Sequence, residues 1–242
     1  MTEVIQREGL QLRHELKFYI DPPQYRILRS RLSALLAMDP YTGPDGRYHI
    51  RSLYFDDFRN TALFDKQAGV ARRKKYRMRI YDYSDAVIKL ERKIKLNEYI
   101  GKESVRITRE EADRILAGDV AFLARSQSRL LRSFYLESRI NLLRPNVIVD
   151  YYREAYVHPM GNVRITFDIG VHTGFGSVAI FDRHLFTTGA IEEPGTILEI
   201  KFDNFLPQAI QGLFPSTIRP RLTIGKFVIC KKHTKYNDWE DN

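Results

Sequence analysis

A single cysteine among 242 residues excludes an intrachain disulfide and any cysteine-built zinc site. No apolar run approaches the roughly 18 residues that a membrane-crossing helix needs. The opening MTEVIQREGL has no apolar core of a signal peptide. These absences predict a soluble, cytoplasmic protein. Glycine (14) and proline (10) are too few for a fibrous or low-complexity chain. No G-x-x-x-x-G-K-[ST] occurs, since Gly225–Lys226 lacks the earlier glycine, so a nucleotide site here is not a P-loop. GxGxxG, GxSxG and HExxH are missing as well, and the six histidines read as surface or core residues. Cys230, in an apolar stretch, reads as a buried thiol.

Positive charge, in contrast, is abundant. Lys plus Arg number 39 against 30 Asp plus Glu, a net +9, which favours a polyanionic partner: nucleic acid, an acidic membrane surface or a phosphate compound. The cations cluster in stretches of period-two alternation, the signature of strands. Eight segments follow this grammar: 13–20, 48–56, 72–83, 86–94, 98–108, 146–157, 162–169 and 196–203. Their number and spacing predict a closed antiparallel eight-stranded β-barrel. Helices are predicted at 22–37, which opens on prolines, and at 108–117, where Thr108 precedes acidic residues as an N-cap does. Three more are predicted at 121–140, 206–214 and 222–232. With no linker, repeat or low-complexity segment, the chain reads as one α+β domain over 1–242, with frayed ends at 1–10 and 234–242.

Side chains two apart on a strand share a face. One face of the first segment carries Arg13, Glu15, Lys17 and Tyr19; one face of the third carries Lys75, Arg77, Arg79 and Tyr81. Lys89, Glu91, Lys93 and Lys95 align on the fourth, and Lys102, Ser104 and Arg106 on the fifth. Tyr151 and Arg153 align on the sixth, Arg164, Thr166 and Asp168 on the seventh, and Glu199, Lys201 and Asp203 on the eighth. The plain reading is a one-sided sheet with a wet, charged face. Solvated faces usually mix signs, however, whereas these carry Lys or Arg in excess. Cations packed side by side repel unless an anion neutralises them. A cation-lined lumen with its outer apolar faces under helices explains both faces and offers a slot for a polyanion. Glu15, Glu91 and Glu199, set among the cations, supply oxygen ligands suited to Mg²⁺ or Mn²⁺. Asp56 and Asp57 read as turn formers, Glu98 and Glu103 as solvated partners, and the basic cluster at 72–75 as a lumen rim or a membrane-facing patch.

RHELKFYI at 13–20, RSLYFDD at 51–57, KYRMRIYDY at 75–83 and KLERKIKLNEYIGKES at 89–104, followed by VDYYREAY at 149–156, VRITFD at 163–168 and ILEIKFD at 197–203, resemble in order the VTC domain. This is the polyphosphate polymerase module of the vacuolar transporter chaperone family, within the triphosphate tunnel metalloenzymes. The resemblance implies an eight-stranded triphosphate tunnel with a metal held by acidic residues. Carried over by position, it implies catalytic roles for Lys17, Arg77, Arg79, Lys93, Arg153, Arg164 and Glu199. It implies further phosphate contacts at Arg51, Lys75, Lys89, Lys102, Tyr151, Lys201 and Lys226, and a metal on Glu199 with Glu15 and Glu91 as helpers. Many tunnel enzymes begin Glu-x-Glu-x-Lys; here Arg13 replaces the first Glu, a departure that favours the polymerase branch.

The activity so implied is transfer of the ATP γ-phosphoryl group to a growing inorganic polyphosphate, dependent on Mn²⁺ or Mg²⁺. Its location would be the cytoplasm, at the inner face of a membrane where a separate membrane-protein partner recruits it. The alternatives are a tripolyphosphatase or nucleoside triphosphatase of the same fold and a non-catalytic polyphosphate-binding module. Nucleic acid is disfavoured, because carboxylates sit among the cations and no RNP-like or helix-turn-helix pattern appears.

Overall fold

The computed structural model describes residues 6–7, 10–174, 176–191, 195–214 and 225–237. Eight strands form the main sheet: β1 (His14–Ile20), β2 (Tyr48–Asp56), β3 (Arg72–Tyr81), β4 (Ser84–Leu96), β5 (Tyr99–Ile107), β6 (Arg144–His158), β7 (Val163–Gly174) and β8 (Thr196–Phe202). Each overlaps one of the eight predicted segments. All neighbours are antiparallel, in the order β1-β8-β7-β6-β2-β3-β4-β5. Two short pieces lengthen the edges of this path: Ala37–Met38 pairs with β6, and Thr188–Gly189 with β7.

Among the described residues the hydrogen-bonded ladder does not run round to closure. The edge strands β1 and β5 approach at one isolated bridge, where Arg13 and Ile100 exchange N–H···O bonds of 3.1 and 3.0 Å. The architecture is thus a curled antiparallel sheet with helices, and the predicted closed ladder is reduced to that single pair. β7 runs five residues beyond the predicted segment and stays paired to β6 through a register shift between Ile169 and His172. Gly170 sits inside this shift at φ +58°, a conformation that costs glycine nothing.

The helices are α1 (Pro22–Leu35), α2 (Thr61–Gln67), α3 (Arg109–Leu116), α4 (Arg129–Ile140), α5 (Gln208–Gln211) and α6 (Lys226–Asn237). α1 starts on a capping box: Asp21 accepts from Gln24 N at 2.7 Å, and Gln24 Oε1 accepts from Asp21 N at 3.1 Å. Thr108 and Glu111 do the same for α3. The predicted 121–140 helix is two elements, a 3-10 turn at Ala121–Arg125 and then α4, whose Ser128 N-cap restarts the helix. The predicted 206–214 helix shrinks to one turn, and the 222–232 helix begins later and extends to Asn237. α2 has no counterpart among the predicted helices. It begins after Asn60, which has left-handed backbone and gives no side-chain cap. Asp56 serves instead, accepting from Ala62 N at 2.9 Å and Leu63 N at 3.2 Å. Asp57 accepts from Arg59 N and Thr61 N, so both aspartates are the turn formers expected.

Two apolar clusters lie on the convex side. One joins Leu53, Met78, Ile80 and Leu90 to Ile115 of α3 and Phe134 of α4. The other joins Ile165, Phe167 and Leu198 to Leu28 and Leu32 of α1 and Ile210 of α5. A third is built differently. α6 contributes Phe227, Val228 and Cys230, and α2 contributes Leu63, to a cluster holding Ile50, Val147, Val149, Tyr151 and Ile197. Those strand residues share their face with the charged residues described next, so α6 packs on the concave side. Cys230 is fully buried there, and burial pushes its thiol up to about 12, as expected of an inert thiol.

Candidate active site

Strand register explains why so many charges meet. Glu199 stands between Lys17 and Thr166, Lys201 between Glu15 and Arg164, and Asp168 beside Arg153. On the other half Lys75, Lys93 and Lys102 form one row, Arg77, Glu91 and Ser104 the next, and Arg79, Lys89 and Arg106 the third. Every one of these residues occupies the concave face, as the alternation predicts.

The carboxylates organise the cations around them. Asp168 takes Arg153 as a fork, with Nε and Nη2 at 2.6 and 2.9 Å, and pairs with Lys226 of α6. Burial works against its charge, but Arg153 and Lys226 prevail and hold its pKa down to about 2. Glu91 accepts from Arg77 Nε at 2.6 Å and Lys102 Nζ at 2.9 Å. Glu199 pairs with Lys201 at 3.1 Å and with Lys17 and Arg153 at 3.5 Å. Burial raises its pKa, yet these lysines and Lys226 hold it well below the usual carboxylate range. Glu15 pairs with Lys17 and sits 2.7 Å from Lys93 Nζ. Burial and the Glu199 charge act against its ionisation, and Lys17, Lys93 and Lys201 overcome both.

Other cations stand in mixed surroundings. Among the described residues Arg79, 6% exposed, donates to two neutral groups, Ser52 Oγ at 3.0 Å and Tyr151 Oη at 3.2 Å. Lys75 lies 4.3 Å over the Phe227 ring. Burial, followed by Lys93 and Lys66, pushes its pKa down to about 7. Lys201 is also pushed to about 7: burial dominates the help of Glu199 and Glu15, and Arg153 and Lys93 add repulsion. Lys89 rests 5.5 Å from the Tyr81 ring. Arg164 pairs with Asp39 and donates to Tyr48 Oη at 3.0 Å.

Arg51 is not part of this face. On β2 the even residues Tyr48, Ser52 and Tyr54 contact the concave cations, so strand parity sends Arg51 to the other side. There it is 2% exposed, binds Asp150 Oδ2 through Nε at 2.7 Å and donates to the Ile180 and Asp182 carbonyls. It anchors the loop after β7 and is withdrawn as a phosphate ligand. Glu91 stands with Arg77 and Lys102 rather than with Glu15 and Glu199. Lys226 does reach the site.

Several contributors went unassigned in the sequence. Asp168 was legible, since it shares its face with Arg164 and Thr166. Tyr54, which accepts from Arg77 Nη1 at 3.0 Å, and Ser52 follow from β2 alternation once its parity is known. Asp39 carries no local signal; it is carried in by the pairing of Ala37–Met38 with β6.

Among the described residues no group of three or more Asp, Glu, His or Cys stands ready for a metal. The donor set nevertheless suits a hard cation carried in with phosphate. Glu15 and Glu199 adjoin through Lys17, and the buried Thr166 hydroxyl, cross-strand from Glu199, has no hydrogen-bond partner. Mg²⁺ and Mn²⁺ commonly take one or two carboxylates and complete their shell with phosphate oxygens and water.

The family model of the VTC domain matches residues 12–234. No curated protein sequence matches the chain. Among solved structures, the chain is similar to HpAC1 from Hippeastrum, a proposed adenylyl cyclase with a dominant triphosphatase activity, at 15% identity over 84% of this chain and 83% of that one, TM-score 0.47. A proposed adenylate cyclase of Bacillus halodurans is 12% identical over 95% and 87% of the two chains, TM-score 0.46. PH1012 from Pyrococcus horikoshii OT3 is 12% identical over 84% and 85%, TM-score 0.41.

Proposed function

This chain belongs to the VTC domain family, and from that premise we propose that it works as a single domain that transfers the ATP γ-phosphoryl group to inorganic polyphosphate within its concave face. One observation carries the reading: among the described residues cations outnumber carboxylates on a buried face, where burial, with repulsion from neighbouring cations, pushes Lys75 and Lys201 to about 7. A bound polyphosphate would supply negative charge and return these lysines to full protonation.

Phosphoryl transfer asks for positioning and charge neutralisation more than for a protein nucleophile. Arg77, Arg79, Arg153 and Arg164 offer forks for non-bridging oxygens, and Lys17, Lys75, Lys89, Lys93, Lys102, Lys201 and Lys226 add point charges. Glu91 and Asp168 fix the orientation of Arg77 and Arg153 before substrate arrives, which spares reorganisation during reaction. Tyr54 and Tyr151 brace Arg77 and Arg79. α6 excludes water from one part of the face. Donor and acceptor are both anions, so a basic enclosure offsets their mutual repulsion. Glu199 and Glu15 would hold Mn²⁺ or Mg²⁺, which would neutralise charge developing on the transferred group. Joining of the β1 and β5 edges into a complete tunnel around substrate belongs to the same proposal. Among the described residues no helix is long and apolar enough to cross a membrane.

The test incubates the purified protein with ATP and Mn²⁺ or Mg²⁺ and follows polyphosphate, ADP and free phosphate together. Polyphosphate matched by ADP is expected. Free phosphate without polymer would replace this reading with a triphosphatase, and tight tripolyphosphate binding with neither product would leave a binding module.

A further inference from the structure

The inward face of α4 is Leu130, Leu131 and Phe134. Steps of three and four residues align Arg129, Arg132, Leu136, Arg139 and Ile140 on the opposite side, and the fold leaves all five exposed. Leu136 is 53% exposed and Ile140, one turn later, 72%. Just past the helix end Leu142 is 48% exposed and has left-handed backbone at φ +52°. That turn closes α4, because the Asn141 and Leu143 N–H groups both donate to the Glu137 carbonyl, at 2.9 and 3.4 Å. Glycine is the usual residue at such a position, and a leucine there is strained by its Cβ. A strained backbone thus presents a third aliphatic side chain half in water, two residues beyond Ile140.

The charge around these side chains has one sign. Arg144, which opens β6, is exposed as well. Among the described residues Arg129, Arg132, Arg139 and Arg144 pair with no carboxylate; Arg132 donates to the Ser126 and Gln127 carbonyls at 2.6 and 3.0 Å. Glu137, the one acidic residue of α4, lies off the stripe and is taken by Lys74. We propose that this stripe docks the protein on an anionic lipid bilayer. Leu136, Ile140 and Leu142 enter the boundary between headgroups and acyl chains, and the arginines meet the lipid phosphates. Charge complementarity selects an anionic cover. Size selects a bilayer over a protein: three aliphatic side chains fall well short of the roughly 800 Å² per partner that a stable protein interface buries. A peptide helix would want a groove, whereas a bilayer asks only for shallow apolar insertion reinforced by several cations. Arginine suits that boundary, since its stem lies along apolar surface while its fork stays charged. The proposal is independent of the phosphoryl chemistry above: α4 packs on the convex side, and the cation belt lies on the other.

Flotation of the full chain with two kinds of vesicle tests this: phosphatidylcholine alone, and phosphatidylcholine mixed with phosphatidylglycerol. The mixed vesicles are expected to bind the unsubstituted chain at least about tenfold more tightly than the neutral ones. Leu136→Ser combined with Ile140→Ser should weaken binding to mixed vesicles about tenfold, and Arg139→Gln about fivefold. Leu35→Ser, which removes a leucine of α1 that is 63% exposed, should change it by less than about twofold. All these side chains are exposed, so level melting temperatures report that the variants are folded. Unaltered binding of the double serine variant to mixed vesicles would mean that charge elsewhere, the concave belt included, holds the lipid, and it overturns the α4 surface. Equal binding of the unsubstituted chain to both kinds of vesicle overturns the anionic selection on which the proposal stands. Binding to neither overturns the bilayer as occupant and leaves an acidic protein surface in its place.

Discussion

Met78 and Arg79 are consecutive residues of β3, and both are almost lost to solvent, but opposite physics buries them. Met78 faces the convex side with Leu53, Leu90 and Phe134, where burial is itself favourable and each apolar group strengthens the fold. Arg79 faces the concave side with Ser52 and Tyr151 as its partners, where burial and Arg77 act against its charge and Tyr151, Glu91 and Tyr81 must hold it. One sheet therefore has a face that holds the protein together and a face that is held in place by it. The concave face is itself uneven: Arg153 and Lys226 both pair with Asp168, whereas among the described residues Arg79, Lys75 and Lys89 make no ion pair. Uncompensated charge in a folded protein is stored affinity for an ion of the opposite sign.

That contrast can be broken most severely on the convex face. Phe134, edge-on to Phe55 at 5.0 Å and to Tyr76 at 5.5 Å, should cost about 3–5 kcal/mol of stability when replaced by alanine, read from denaturant unfolding. Turnover per folded molecule should stay unchanged; a selective loss of activity would mean that the two faces are not independent. Glu199→Gln on the concave face should do the reverse. Polyphosphate synthesis is expected to fall at least about a hundredfold, near 2.7 kcal/mol of transition-state stabilisation, and excess Mn²⁺ should recover little of it. Near-normal synthesis would remove Glu199 from the site.

Arg79→Gln sharpens the comparison further. Loss of one fork should weaken tripolyphosphate binding about tenfold, while thermal stability changes little, because burial and Arg77 oppose the charge that Tyr151 and Glu91 favour. A clear drop in melting temperature would show that Arg79 is structural. The smallest effect is a slope. Lys75 and Lys201 are depressed by burial to about 7 in the folded protein, against about 10.4 when unfolded. Between these values the unfolded chain binds more protons than the folded one, so stability of the free protein should rise from pH 7 towards pH 10. Tripolyphosphate affinity should fall over the same window as both lysines lose charge. Saturating tripolyphosphate should flatten or reverse the stability slope, and a slope unaltered by the anion would break the link between these lysines and binding.

Much of this was written in local sequence. Period-two alternation placed all eight strands and sorted Met78 from Arg79, because a strand's geometry gives successive side chains to opposite sides whatever it packs against. Thr108 and Glu111, and the prolines after Asp21, marked helix starts because caps are satisfied within a few residues. Arg51 shows the limit of resemblance without parity: a basic residue on the right strand lies on the wrong side by one position. α2 escaped notice because its N-terminus is satisfied by Asp56, not by the residue at its own cap.

What alternation cannot state is which strands become neighbours, how far they curl and what enters from outside the sheet. The encounter of Glu15 with Lys93 across the two sheet edges was decided by the tertiary structure. So were the arrival of Asp39 at Arg164 and the seating of α6 with Lys226 on Asp168. These contacts join residues tens to hundreds of positions apart, and the electrostatic cost that fixes their partners exists only once burial has removed water from the concave face.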